Sequence, residues 1–297
     1  VKSPDDSTVA PKVYLNGDRG AADDNSGNKL LLNDATKSWT TNEWAGSVVK
    51  IVKGPGKSET RVIASNTGTA LTVSPAFYET HTTTTEYVIL GSSKWTEITG
   101  HGLTEPVNSV APADDICYFA QGDDTALRRF RHYNNSGTFT AEWAADGTNK
   151  AVFLHVFRDQ VNGYQIWRAL NSDSNGHVSV SRGPQVAWGT NITFESAIRV
   201  GANNAQITNL IDYDNLIFTF KEDGIYAIQN DLPDKLSADF GTQLSPINGS
   251  AAAIHSPYLF LSFMYSVERL YGRTLDDVGP VKGAGMPDGR QGPITSL

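Results

Sequence analysis

The chain is poor in the residues that carry most site chemistry. Among 297 residues there is one cysteine, Cys117, and only two methionines. A single cysteine excludes an internal disulfide, and no metal-ligating side chains cluster around it in the sequence. Flanked by Ile116 and Tyr118 in a strand-like run, Cys117 reads as a small buried core residue. Long apolar runs are missing as well. Nothing approaches the ~20 residues that a spanning helix needs, and no signal-peptide pattern is visible, so no membrane partner is expected. Positive charge is scarce: 24 Lys and Arg stand against 32 Asp and Glu, a net charge of −8. Such a chain repels phosphate backbones, and a nucleic-acid partner would need a local basic patch. The one candidate is Arg128, Arg129 and Arg131. In a strand Arg129 and Arg131 share a face while Arg128 points away, so a solvated strand face is expected rather than a nucleic-acid groove.

What is present favours strands. Hydrophobic residues make up 39% and aromatics 10%, enough for a packed core. Asn, Thr, Ser and Asp are abundant, and the 27 glycines and 13 prolines fall at turn-like positions. The fold class expected is all-β. Residues 1–28 are rich in Asp, Asn, Gly and Ser, with Val13-Tyr14-Leu15 the only short strand, and read as an extended arm or linker. The chain starts at Val1 rather than Met, which points to processing or to an excerpt of something longer.

Residues 29–91 read as a compact module. Leu30–Leu32, Ser47–Lys53, Glu59–Ala64, Ala70–Val73 and Glu86–Leu90 are candidate strands. Gly54-Pro55-Gly56 and Asn66-Thr67-Gly68 mark turns between them. That spacing predicts a small β-barrel or sandwich with Trp39 and Trp44 in its core; a sugar-stacking platform is the other reading of the two tryptophans. The run Trp39…Trp44-Ala45-Gly46…Val49-Lys50-Ile51…Gly54-x-Gly56…Arg61-x-Ile63…Ser65-Asn66-Thr67…Leu71-Thr72-Val73…Tyr87-x-Ile89 resembles a small β module of tailed-phage and prophage virion proteins. Similar modules occur in bacterial surface proteins. The resemblance covers about a fifth of the chain and implies an architectural unit rather than an activity.

Residues 92–297 carry internal repeats. Val107–Ala120 lies over Ile207–Phe220 without a gap, and Ala251–Phe263 repeats the pattern 43 residues further on, with Leu259 over Leu216 and Phe263 over Phe220. Each copy has a short strand, a tight turn, an apolar strand and a hairpin to a third strand: Gly224–Ile228 in one copy, Val267–Tyr271 in the next. A divergent copy is Ala151–Phe157 with Tyr164–Arg168, followed by an insertion or irregular outer strand over 171–200. Period and grammar predict four to five β-propeller-like blades; an irregular β-sandwich is the alternative. Gly292–Leu297 resembles Gln206–Leu210, so either this strand closes the ring or the native chain continues beyond Leu297.

Catalytic groups do not assemble in the sequence. Asp114/Asp115 and Asp123/Asp124 sit in turn-like settings, with no sign of a glycosidase pair. Neither a Gly-x-Ser-x-Gly nucleophile nor a phosphate-binding glycine loop is found. His81, His101, His132, His155, His177 and His255 lack metal-ligand spacing, and His155 and His255 read as structural histidines within strands. Asn171-Ser172-Asp173-Ser174-Asn175-Gly176 mimics the first half of a calcium loop, but the twelfth position is Arg182, so a plain hairpin turn is expected. No catalytic, cofactor-binding or metal residue is therefore assigned, and no cofactor is expected.

The function expected is a non-enzymatic structural component of a phage virion, at tail, collar or capsid surface, acting as an assembly or attachment platform. Its expected partners are other virion proteins in a symmetric homo- or hetero-oligomer, with a host-surface glycan as a further one. The alternative is a secreted glycan-binding or glycan-degrading propeller using Tyr133, Trp143, Trp167 or Trp188 as stacking platforms.

Overall fold

The computed structural model describes residues 11–24, 27–91, 93–135, 138–159, 163–236, 245–263, 266–272 and 274–278. Among them there is no helix, and the strands form sheets that are antiparallel wherever the register is defined. The proposed repeat Gly292–Leu297 lies outside the described residues, as do the first ten residues of the expected arm. The described chain divides into two compact units, one of residues 11–102 and 130–143, the other of 103–129 and 144–278.

The first unit holds two sheets. β1 (Val13–Asn16) pairs with β8 (Trp95–Ile98). The other strands are β2 (Asp18–Ala21), β3 (Leu31–Asn33), β4 (Val48–Lys53), β5 (Thr60–Asn66), β6 (Ala70–Ser74) and β7 (Glu86–Leu90). They form one six-stranded sheet in the order β2-β7-β4-β5-β6-β3. Period-2 alternation sorts the side chains. Val49, Ile51, Ile63, Leu71, Val73, Tyr87 and Ile89 face a common core with Trp44, while Lys50 and Val62 face outward. The sheet curls on itself, because just past the ends of its two edge strands Asp23 N–H donates to Asn33 O at 2.7 Å.

Within the stretch read as an extended arm, Val13–Asn16 is a strand, where a short one was expected, and Asp18–Ala21 is a second that edges the six-stranded sheet. Their cohesion is polar, which an apolar-pattern reading does not register. Asp18 Oδ2 accepts from Trp39 Nε1 at 2.7 Å and Asp18 Oδ1 from Lys37 Nζ at 3.0 Å. Gly20 permits a close approach: a Cβ there would sit 2.1 Å from Asp34 Oδ2 and 2.3 Å from Tyr87 Oη.

Four four-stranded sheets follow in chain order. The first is β9 (Ser109–Ala113), β10 (Ile116–Ala120), β11 (Gly122–Asn135) and β12 (Thr138–Ala151), the last two running through both units. The second is β13 (Phe153–Asp159), β14 (Gly163–Leu170), β15 (Ser179–Pro184) and β16 (Ile198–Arg199). The third is β17 (Ile207–Tyr213), β18 (Leu216–Lys221), β19 (Gly224–Gln229) and β20 (Leu232–Lys235). The fourth is β21 (Ala252–His255), β22 (Tyr258–Phe263), β23 (Ser266–Tyr271) and β24 (Thr274–Asp277). Each is a meander with neighbours in sequence order. The stretch 171–200, expected as an insertion or an irregular outer strand, supplies the third and fourth strands of the second sheet.

Hairpin turns fix the register. Asp114 takes φ 55° between β9 and β10, and Asp214 and Asn215 take φ 51° and 61° between β17 and β18, in line with the gapless match of the first two copies. The third copy is corrected by one residue. Its two-residue turn lies between His255 and Tyr258, so Leu259 corresponds to Ile217 and not to Leu216. Burial agrees, since Ile217 and Leu259 are both buried whereas Leu216 is half-buried.

The first strands β9, β13, β17 and β21 lie beside one another in succession. Packing between sheets explains the near-continuous apolar runs. In β18 and β19, Ile217, Tyr226 and Ile228 face one cluster with Trp167 and Val180 of the second sheet. Phe218, Phe220, Ile225 and Ala227 face another with Leu259 and Leu261 of the fourth. A strand covered on both faces has no solvent side to alternate with. Each large side chain buried this way contributes about 1.5–3 kcal/mol.

Candidate functional site

Most residues singled out in the sequence resolve into structural roles. Trp44 is 3% exposed and meets Trp39 edge-on at 6.5 Å, so the pair belongs to the core and offers no sugar platform. Asn66 sets the loop that carries them: its Oδ1 accepts from Trp44 N–H at 2.8 Å and its Nδ2 donates to Thr40 O at 2.9 Å. Cys117 is a half-buried free thiol whose pKa burial pushes up to about 11, which makes it a poor nucleophile. Asp114 occupies the β9–β10 turn, and Asp123 Oδ1 accepts from Asn171 N–H at 3.1 Å. In the calcium-like stretch, Asp173 Oδ1 accepts from the N–H groups of Asn175 (2.8 Å) and His177 (2.9 Å), the bonds of a turn. Among the described residues no group of three or more His, Cys, Asp or Glu is placed to hold a metal ion.

His155, on β13, is satisfied: its Nε2 lies 2.8 Å from Asp212 Oδ1 on β17, tying the second sheet to the third. His255 is exposed on β21. His81 behaves differently. Its ring is wholly buried, edge-on to Phe77 at 4.2 Å, and among the described residues neither nitrogen has a partner in good hydrogen-bond geometry. Burial pushes its pKa below the usual 6.5, and the nearby Glu59 carboxylate and the Pro55 backbone oppose this only in part. The unfolded chain therefore binds the proton that the folded unit refuses. The stability this gives is complete above pH 6.5 and is lost as pH falls from there toward the folded pKa, with a slope of at most about 1.4 kcal/mol per pH unit. Burial, helped by Arg19 and Lys37, lowers His132 as well. The melting temperature of the first unit should fall between pH 7.5 and 5, with a smaller slope in His81→Leu. A flat profile in the unaltered protein contradicts this account.

The arginines correct the solvated-face expectation. Arg131 is half-buried, paired with Glu142 at 2.7 Å, whereas Arg129 is 2% exposed and lies 3.5 Å from the fully buried Asp146. Arg129 also donates to Ala145 O (3.2 Å), Asn191 Oδ1 (3.3 Å) and Thr190 O. Asp146 accepts from Ile192 N–H at 3.1 Å and Asn149 Nδ2 at 2.8 Å. The pair thus pins the irregular 185–197 segment against its sheet. Tyr118 is fully buried in the same cluster, its pKa pushed up to about 12 by burial, with Asp146 adding to the effect.

Among the described residues an open site lies between the second and third sheets of the second unit. Two adjoining hollows of about 560 and 610 Å³ share Arg182 and Asp231. Trp167 lines the first of them, with Arg182 at 5.7 Å from its ring centroid. Arg182 bridges two carboxylates, Glu195 at 2.9 Å and Asp231 at 3.0 Å. Around the first hollow stand Gln165, Asn215, Gln229 and Asn230. Asn215 and Asn230 reach it from left-handed turn positions (φ 61° and 50°) that hairpins of this length demand. Of the aromatics considered as platforms, Trp167 lines this groove, while Trp188 stacks on Arg129 and Tyr133 on Arg131. Sequence reasoning missed the amides because Asn in a tight turn reads as turn chemistry alone.

No protein-family model and no curated protein matches the chain. A crystal structure of a protein from Lactobacillus plantarum is similar over 66% of this chain, with 13% identity and a TM-score of 0.40, a likeness too slight to carry an argument. This chain spans 62% of that protein's length.

Proposed function

We propose that this chain is a non-enzymatic structural component of a tailed-phage virion, an assembly or attachment platform whose four consecutive sheets are blades of a β-propeller. The blade reading is supported by the succession of first strands and by β18 and β19, which are covered on both faces by the sheets before and after them. Radial packing is how small sheets cover two faces at once. The observation that carries the virion reading is the Trp39-to-Ile89 pattern. Its positions Trp44, Val49, Ile51, Ile63, Leu71, Val73, Tyr87 and Ile89 serve one curled module core, and Asn66 serves the tryptophan loop. A rigid module of this kind suits repeated assembly contacts rather than turnover. Its expected partners are other virion proteins in a symmetric oligomer. Mass spectrometry of gradient-purified particles from the source phage or prophage should find the chain at stoichiometric copy number. Its absence from intact particles overturns the reading.

A further inference from the structure

We infer that the groove between the second and third sheets is a binding site for an uncharged oligosaccharide, with one sugar ring in the hollow over Trp167. This goes beyond the assembly reading and does not depend on it. Gln165, Asn215, Gln229 and Asn230 all line that hollow, and none has a side-chain hydrogen-bond partner among the described residues. Each carboxamide offers donors and an acceptor together, the combination that a vicinal diol satisfies in both directions. Trp167 lines the hollow and is 96% buried, and its buried indole N–H has no partner among the described residues.

Charge argues for a neutral ligand. In the first hollow Arg182 is opposed by Asp231 and also held by Glu195, so no cation is left for a phosphate or a sugar acid. Arg199 adds a cation only to the second hollow. There Leu232, 70% exposed, and Pro233 give an apolar shelf that a second ring can cover with its C–H face. A volume of about 560 Å³ lies within the usual range for small-molecule sites. A peptide strand is the other class of occupant, but the groove walls here are side chains and turns rather than an open strand edge.

The test uses the full chain on an array of neutral and acidic bacterial oligosaccharides, with titration calorimetry of the strongest ligand. Neutral oligosaccharides of two or more rings should bind. The Gln165→Ala/Gln229→Ala variant should weaken them by about tenfold or more, since each lost neutral hydrogen bond accounts for roughly threefold to tenfold. Lys50→Ala, exposed on the first unit and outside both hollows, should leave neutral binding unchanged, and an unaltered melting curve shows that the variants fold. No hits, binding confined to acidic glycans, affinity that survives the double variant, or selection of peptides from a displayed library over sugars each overturns the proposal. Presence or absence on particles bears on the virion reading alone.

Discussion

Asp146→Ala should destabilise the second unit by about 3–5 kcal/mol, the cost of leaving a buried charge without its partner. Arg129 is 2% exposed and its Nε already lacks a hydrogen bond, so the guanidinium has no route to water once the carboxylate is gone. The carbonyls of Ala145 and Thr190 solvate it in part but do not neutralise it. The same change orphans the Ile192 N–H and the Asn149 amide. Asp146→Asn retains an acceptor and should cost less. Replacing both partners, Arg129→Met with Asp146→Ala, should recover part of the loss because no buried charge remains. Denaturant unfolding measures the three costs, and hydrogen exchange over residues 185–197 should rise first. A loss below about 1 kcal/mol in Asp146→Ala would mean that the pair is hydrated and that the account is wrong.

Trp44→Ala should cost the first unit about 3–5 kcal/mol. The indole is 3% exposed within a core of Val49, Ile51, Ile63 and Leu71, and its removal leaves a cavity that strands held by ladder bonds cannot collapse to fill. Trp39→Ala removes a half-buried ring and the hydrogen bond to Asp18, and should cost less. Chemical denaturation followed by the near-ultraviolet signal of the first unit separates the two. Equal losses would show that Trp39 contributes as much to the core as Trp44 and contradict this ranking.

Much of the fold was legible because turn chemistry and period-2 alternation are local. The five module strands from Leu31 to Leu90 were readable from Gly-Pro-Gly and Asn-Thr-Gly punctuation. The match of Asp114 with Asp214 was readable because both sit where a left-handed turn requires them. The one-residue slip at Leu259 arose because side-chain similarity was weighed over turn position, and in a hairpin the turn decides. Of β11 only the Arg128–Arg131 stretch was legible as a strand, and β12 escaped notice, since aliphatic side chains are sparse in both. The Arg129–Asp146 pair and the amide groove bring together residues 17 to 65 positions apart, and nothing local in the sequence announces such meetings.

The meander order has a consequence for synthesis. Each sheet draws its strands from one contiguous stretch, so it can zip together as soon as its last strand leaves the ribosome. The third sheet nevertheless keeps one bare face until the fourth arrives, because Phe218, Phe220 and Ile225 are covered by Leu259 and Leu261. Folding is then vectorial, each newly made sheet acting as the seal on the one before it. A nascent chain stalled before residue 252 would hold its second sheet in native form while offering an aromatic face to chaperones.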